Sequence, residues 1–115
     1  MYITSSNITK DTANELLHFF LLFSYRAKLE GKREHHLTAG HLTVLLAIPE
    51  SFGKGAHLVT EFTVSRIYRT IRELGYKDKF PMVKKNLNEL VKLDYLKKED
   101  NLYSYNFDYI QQKIN

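Results

Sequence analysis

A mainly α-helical domain closed by a small β-hairpin is the fold class this sequence predicts. Three observations carry that expectation. Apolar residues recur at helical spacing in four segments between residues 9 and 93. After Leu93 the period drops from 3.6 to 2 and stays there to Phe107. Gly31, Pro49, Gly75 and Pro81 fall at the edges of the helical segments, where helices stop and start.

The first helix is expected over about residues 9–30. Thr9 can cap it, Asp11 and Glu15 place negative charge near the positive end of its dipole, and Gly31 stops it. From Leu16 to Phe23 every residue except His18 is apolar, more than one buried face requires. Leu16, Phe20, Phe23 and Ala27 form one stripe; Phe19, Leu22 and Leu29 form another. A helix apolar on two sides calls for two partners, the domain's own core and a second subunit. Leu16, Phe19, Phe20, Leu22 and Phe23 are therefore the candidate dimer contacts, with Phe19 and Leu22 preferred as the outward pair.

Residues 31–36 read as a charged connector. Thr38 caps a second helix, with Leu42, Leu45, Leu46 and Ile48 as its buried side and Pro49 as its end. Gly53 and Gly55 mark a loop, and His57-Leu58-Val59 is a short β-compatible stretch. Thr60 or Thr63 caps a third helix to about Leu74, with Val64, Ile67, Tyr68, Ile71 and Leu74 at helical spacing and Gly75 as the stop. Pro81 suits the first position of a fourth helix over 81–93, which would bury Val83, Leu87, Leu90 and Val91. Tyr95 to Lys98 and Leu102 to Phe107 then pair across a Glu99-Asp100-Asn101 turn. Alternation puts Tyr103, Tyr105 and Phe107 on one face of that hairpin. Asp108 caps a last short helix to Ile114.

The chain has 115 residues, 43% hydrophobic and 26% charged, an ordinary balance for one globular domain. It has no cysteine, which excludes disulfides, thiolate zinc sites and cysteine nucleophiles. The longest apolar run, Phe19 to Phe23, falls short of the about 20 residues that cross a bilayer. No basic-then-apolar leader pattern opens the chain. A cytoplasmic protein without a membrane partner is the expectation.

The net charge of +4 is unevenly spread. Residues 1–61 hold six basic and six acidic residues. Residues 62–98 hold ten basic and four acidic, and residues 99–115 one basic and three acidic. All the positive excess lies on the third helix, the fourth helix and the first hairpin strand.

Helix, helix, short strand, helix, turn, helix, hairpin is the element order of a winged helix-turn-helix, and the chain resembles that superfamily over about residues 10–107. Val83, Leu87 and Leu90, followed by Asp94-Tyr95-Leu96, reproduce the spacing of its second helix and the left-handed stop before its wing. Leu37 to Leu46 resembles the helix that precedes the helix-turn-helix in MarR-like regulators. The resemblance implies one domain over residues 1–115, a helix-turn-helix over about 61–93 and a wing over about 95–107. Small winged-helix proteins of plasmids and mobile elements are similar in size. The sequence departs from MarR-like proteins at the wing tip, where Glu99 and Asp100 replace a basic motif, and in the few residues that follow the wing.

A recognition helix needs an apolar face to anchor it and a polar face to enter the major groove. With Val83, Leu87, Leu90 and Val91 inward, Met82, Lys84, Lys85, Asn88 and Lys92 face out. Lys84 and Lys85 occupy the first turn, where base edges are reached, and Asn88 has the donor–acceptor pair that matches adenine. Lys79, Lys92, Lys97 and Lys98 suit phosphate, as do Arg66 and Arg69 on the third helix. The segment Thr63 to Gly75 fits the recognition-helix spacing too. No hairpin follows Gly75, so 81–93 is favoured.

These readings imply a dimeric, sequence-specific duplex-DNA-binding protein without cofactor, metal or enzymatic activity, acting as a transcriptional regulator or in maintenance of a mobile element. Three other readings stay open. Lys97 and Lys98 interleaved with Tyr103 and Tyr105 fit a replication accessory that holds single strands. A winged helix can serve only as a protein–protein adaptor. A small molecule could occupy the groove beside the first helix. His35, His36 and His41 match no common metal spacing.

Overall fold

The computed structural model describes residues 9–31, 37–52 and 61–106. Among these residues four helices are followed by one hairpin: α1 (Lys10–Leu29), α2 (Ala39–Glu50), α3 (Val64–Glu73), α4 (Phe80–Lys92), β1 (Leu96–Glu99) and β2 (Leu102–Tyr105). Among the described residues no helix is long and apolar enough to cross a membrane. The expected strand at His57–Val59, the cap at Asp108 with its short helix, and Phe107 lie outside the described residues, as do His35 and His36.

The helix starts follow their caps. The Thr9 side chain accepts from the Thr12 N–H at 3.1 Å, and the Thr63 side chain accepts from the Arg66 N–H at 3.2 Å. At α2 the cap is reciprocal: Thr38 Oγ1 accepts from the His41 N–H, and His41 Nδ1 accepts from the Thr38 N–H. Pro81 sits one place later than expected, because α4 opens at Phe80. Pro49 does not end α2, which runs on to Glu50. In the last turn a proline forfeits one hydrogen bond and no more, and the Ser51 N–H still reaches the Ala47 carbonyl at 2.9 Å.

Two helices end alike. Gly75 (φ 92) and Asp94 (φ 69) are left-handed. The Tyr76 N–H donates to the Ile71 carbonyl and the Tyr95 N–H to the Leu90 carbonyl, at 3.1 and 3.0 Å. The Gly75 and Asp94 N–H groups close the inner bonds, completing a Schellman motif at each end. Asp94 therefore holds a position where glycine is commoner. It swings the chain out of α4 directly into β1.

The hairpin pairs Leu96 with Tyr105 and Glu99 with Leu102. Asp100 turns it with φ 56. Phe62, just ahead of α3, adds a bridge to Tyr103: each residue's N–H donates to the other's carbonyl, at 2.9 and 2.8 Å.

One core joins these elements. Leu16 and Phe20 from α1 meet Val44, Leu45 and Ile48 from α2, Ile67 and Ile71 from α3, and Val83, Leu87 and Leu90 from α4. Tyr95, Leu96, Tyr103 and Tyr105 cover its open end. Phe20 packs on Tyr95 at a 4.8 Å ring separation, a pair that contributes about 0.5–1.5 kcal/mol beyond burial. Burial pushes the Tyr105 phenol far above its usual titration range. The Leu37 N–H donates to the buried Ser24 Oγ at 2.9 Å, which ties α1 to the start of α2.

Several expected core positions differ. Leu46 and Leu74 are exposed, and Leu42, Val64, Tyr68 and Val91 are half-buried. His41, Val44 and Ala47 take the inward side of α2 instead. The reason is rotational: α2 is apolar almost all round, so its sequence does not single out one face.

Candidate nucleic-acid interface

α4 presents two sharply different faces. Val83, Leu87 and Leu90 are fully buried, whereas Lys84, Lys85 and Lys92 are exposed and Met82 is 47% exposed. Lys79 is exposed at the N-cap and offers no side-chain cap. Tyr68 of α3 meets Phe80 edge-on at 5.5 Å, which fixes the start of α4 against the preceding helix.

Thr63, Val64 and Ser65 of the α3 start, Phe80 and Lys84 of α4, and Lys98, Asn101 and Tyr103 of the hairpin line one groove of about 360 Å³. Its charge is one-sided. Lys84 and Lys98 stand on separate walls, the positive end of the α3 dipole opens into it, and among the described residues no carboxylate lines it. Lys98 is steadied by the Tyr103 ring, 5.5 Å from its Nζ. This arrangement suits a phosphodiester backbone: two cations and a capped helix start around one concavity.

The remaining expected site residues are dispersed. Lys97 joins a second concavity of about 630 Å³, which Lys98 also borders and which Glu61, Asp94, Glu99 and Asp100 line as well. Arg69 is exposed on α3. Arg66 does not face outward free of the fold. Its Nε donates to the Ser51 carbonyl at 2.9 Å, and its guanidinium lies 4.1 Å over the Phe52 ring. Asn88 is also committed. Its Oδ1 accepts from the Tyr103 hydroxyl at 2.7 Å, so the acceptor needed for bidentate pairing with adenine is already engaged and the amide is held toward the hairpin. Tyr103 and Tyr105 are 1% and 3% exposed, which leaves neither ring open for a base to stack on.

The groove also uses Thr63, Val64, Ser65, Phe80 and Asn101, which sequence reasoning did not place there. The usable signal was the Thr63 cap: a capped helix start next to a lysine-rich helix is an anion-facing feature.

The candidate dimer contacts separate. Leu16 and Phe20 are 2% and 1% exposed within the chain's own core, so neither meets a second subunit. Phe19 and Phe23 are half-buried, with rings stacked at 6.3 Å, and Leu22 is 70% exposed. With Tyr25, Arg26 and Leu29 they line an outer concavity of about 560 Å³.

His41 is held on both ring nitrogens. Because Nδ1 accepts from Thr38, the proton sits on Nε2, which donates to Glu89 Oε1 at 2.9 Å. That hydrogen bond holds the Glu89 carboxyl below its ordinary range, with Lys85 and Lys92 adding to the effect. Among the described residues no group of three or more metal-ligating side chains forms.

Comparison with family models, with curated proteins and with solved structures returned no match.

Proposed function

We propose that the chain is a winged helix-turn-helix protein that binds double-stranded DNA as a homodimer in the cytoplasm, by contact rather than catalysis. Its role is transcriptional regulation or maintenance of a mobile element. α4 enters the major groove with Lys84 and Lys85 leading, and the hairpin is the wing. The order of α2, the Phe62 bridge, α3, α4 and the hairpin supports this reading, as does the direct Asp94 turn from α4 into β1. The carrying observation is the groove that Lys84 and Lys98 flank from helix and hairpin, with no carboxylate among its described lining residues. Duplex is preferred over single strands because the hairpin tyrosines are buried.

The test is a salt titration of duplex binding, followed by fluorescence anisotropy. Lys84→Ala with Lys98→Ala should lower the slope of log K against log salt by about 2, because each phosphate left unneutralised lowers it by about 0.9. Lys84→Ala with Lys85→Ala should weaken binding at least about tenfold, because these side chains reach base edges or phosphates. Unchanged binding in both variants would reject α4 as the reader and favour α3.

A further inference from the structure

α1 carries an outward face about 130° round the helix from its buried one. At 100° per residue, Glu15, Phe19, Leu22 and Arg26 share one side of the helix, while Ala13, Leu16, Phe20, Ser24 and Ala27 occupy the other and are buried. Leu22 is 70% exposed and Leu29 72%. Glu15 and Arg26 are exposed, and among the described residues neither is paired with an opposite charge. Two large leucines in water on one helix face form a surface that asks for cover.

The charges say what covers it. The acidic end of this face is Glu15 and the basic end Arg26, with the apolar Phe19 and Leu22 between them. A parallel second α1 would set Glu15 against Glu15 and Arg26 against Arg26. An antiparallel one sets opposites together. Glu15 and Arg26 are also equidistant from the midpoint between Phe19 and Leu22, at five and a half residues or about 8 Å each way. A two-fold axis through that midpoint brings Phe19 over Leu22 and Glu15 beside Arg26 in the same operation; it also turns Asp11 toward Glu30, but at about 14 Å from the axis and on the flank of the face, where solvent screens them more than the inner pairs. The two helix dipoles then run opposed, which is favourable as well.

We infer that the occupant of this face is the α1 of a second copy, packed antiparallel, with Phe19 against Leu22 and Glu15 paired with Arg26 across the axis. This rests on the dimeric reading above and adds its geometry. The groove at Lys84 and Lys98 shares no lining residue with the α1 face, so the α1 contact uses none of that groove's residues.

The test is sedimentation equilibrium of the full chain with charge-reversal variants, with circular dichroism checking that each remains helical. Leu22→Glu should give a monomer. Glu15→Arg alone and Arg26→Glu alone should each weaken dimerisation at least about tenfold, because each places like charges together at both ends of the contact. The double reversal, Glu15→Arg with Arg26→Glu, should restore the parental constant. If Leu22→Glu disrupts the dimer while the single reversals leave it intact, the dimeric reading survives and the antiparallel register is overturned. If the double reversal stays as weak as the singles, the register is likewise overturned. A parent chain that stays monomeric at about 100 μM overturns both.

Discussion

The Tyr103 hydroxyl of β2 donates to Asn88 Oδ1 of α4 at 2.7 Å, so the hairpin and the lysine-bearing helix are fastened side chain to side chain. Tyr103 also carries the bridge to Phe62 and stacks on its ring at 6.3 Å. One residue thus links the segment ahead of α3, the hairpin and α4, the elements that surround the candidate interface.

Breaking that link should act on stability before it acts on binding. Tyr103→Phe removes the donor and leaves the Asn88 acceptor half-buried, at a cost of about 1 kcal/mol. Asn88→Ala should cost a similar amount, and the double variant no more than the larger single one. Urea denaturation of the four proteins checks this. Full additivity would mean the two side chains act independently.

Arg66 and Arg69 should separate by assay. Arg66→Ala removes the bond to the Ser51 carbonyl and the packing over Phe52, so stability should fall by about 1 kcal/mol while the salt slope of DNA binding stays put. Arg69→Ala should leave the urea midpoint unchanged and lower the salt slope by about 0.9 if Arg69 meets a phosphate. A salt slope that falls for Arg66→Ala would return that side chain to the interface.

Gly40 should reject alanine although it lies inside α2. A Cβ there would overlap Asn86 Nδ2 and stand 3.1 Å from its Cγ. Asn86 is 4% exposed, so its amide has no room to retreat. Alanine ordinarily gains about 1 kcal/mol over glycine in a helix, and overpacking of about 1–3 kcal/mol should outweigh it. Adding Asn86→Ala removes both the clash and a buried amide nitrogen that has no hydrogen-bond partner among the described residues. Thermal melts should show Gly40→Ala below the parent and the double variant recovered toward it. A Gly40→Ala melt above the parent would show that α2 and α4 separate easily.

Acid should weaken the contact between α2 and α4. His41 Nε2 holds the Glu89 carboxyl below its usual range, so the folded value lies under the unfolded one. The stabilisation is therefore complete above the unfolded value, about 4.3, and disappears as pH falls from there through the folded value. Glu89 is 39% exposed, which limits the effect to about 1 kcal/mol or less. Glu89→Gln should be slightly less stable than the parent at pH 7, and the two urea midpoints should draw together as pH falls below the unfolded value of about 4.3. A gap that persists unchanged at pH 3 would assign it to packing.

Local chemistry was legible in the sequence because it depends on neighbours only a few residues away. The caps at Thr9 and Thr38, the cap at Thr60 or Thr63 (Thr63 in the fold), the stops at Gly75 and Asp94, the period change after Leu93 and the inward set Val83, Leu87 and Leu90 all rest on spacings of one to seven residues. They determine four helical segments followed by a hairpin, with the positive excess on α3, α4 and the strand that follows. The tertiary structure decided the rest, where two or more faces were equally apolar or a polar side chain had several possible partners. α1 is apolar on both sides, and only packing against Tyr95 and Tyr105 turned Phe20 inward and left Leu22 in water. Asn88 and Arg66 carry groups suited to DNA, but their partners Tyr103 and Ser51 lie fifteen residues away and reach them only once the chain has folded. Lys84 and Lys98 share a groove for the same reason: a periodicity places a residue on a face of its own element, and only packing sets that face against another.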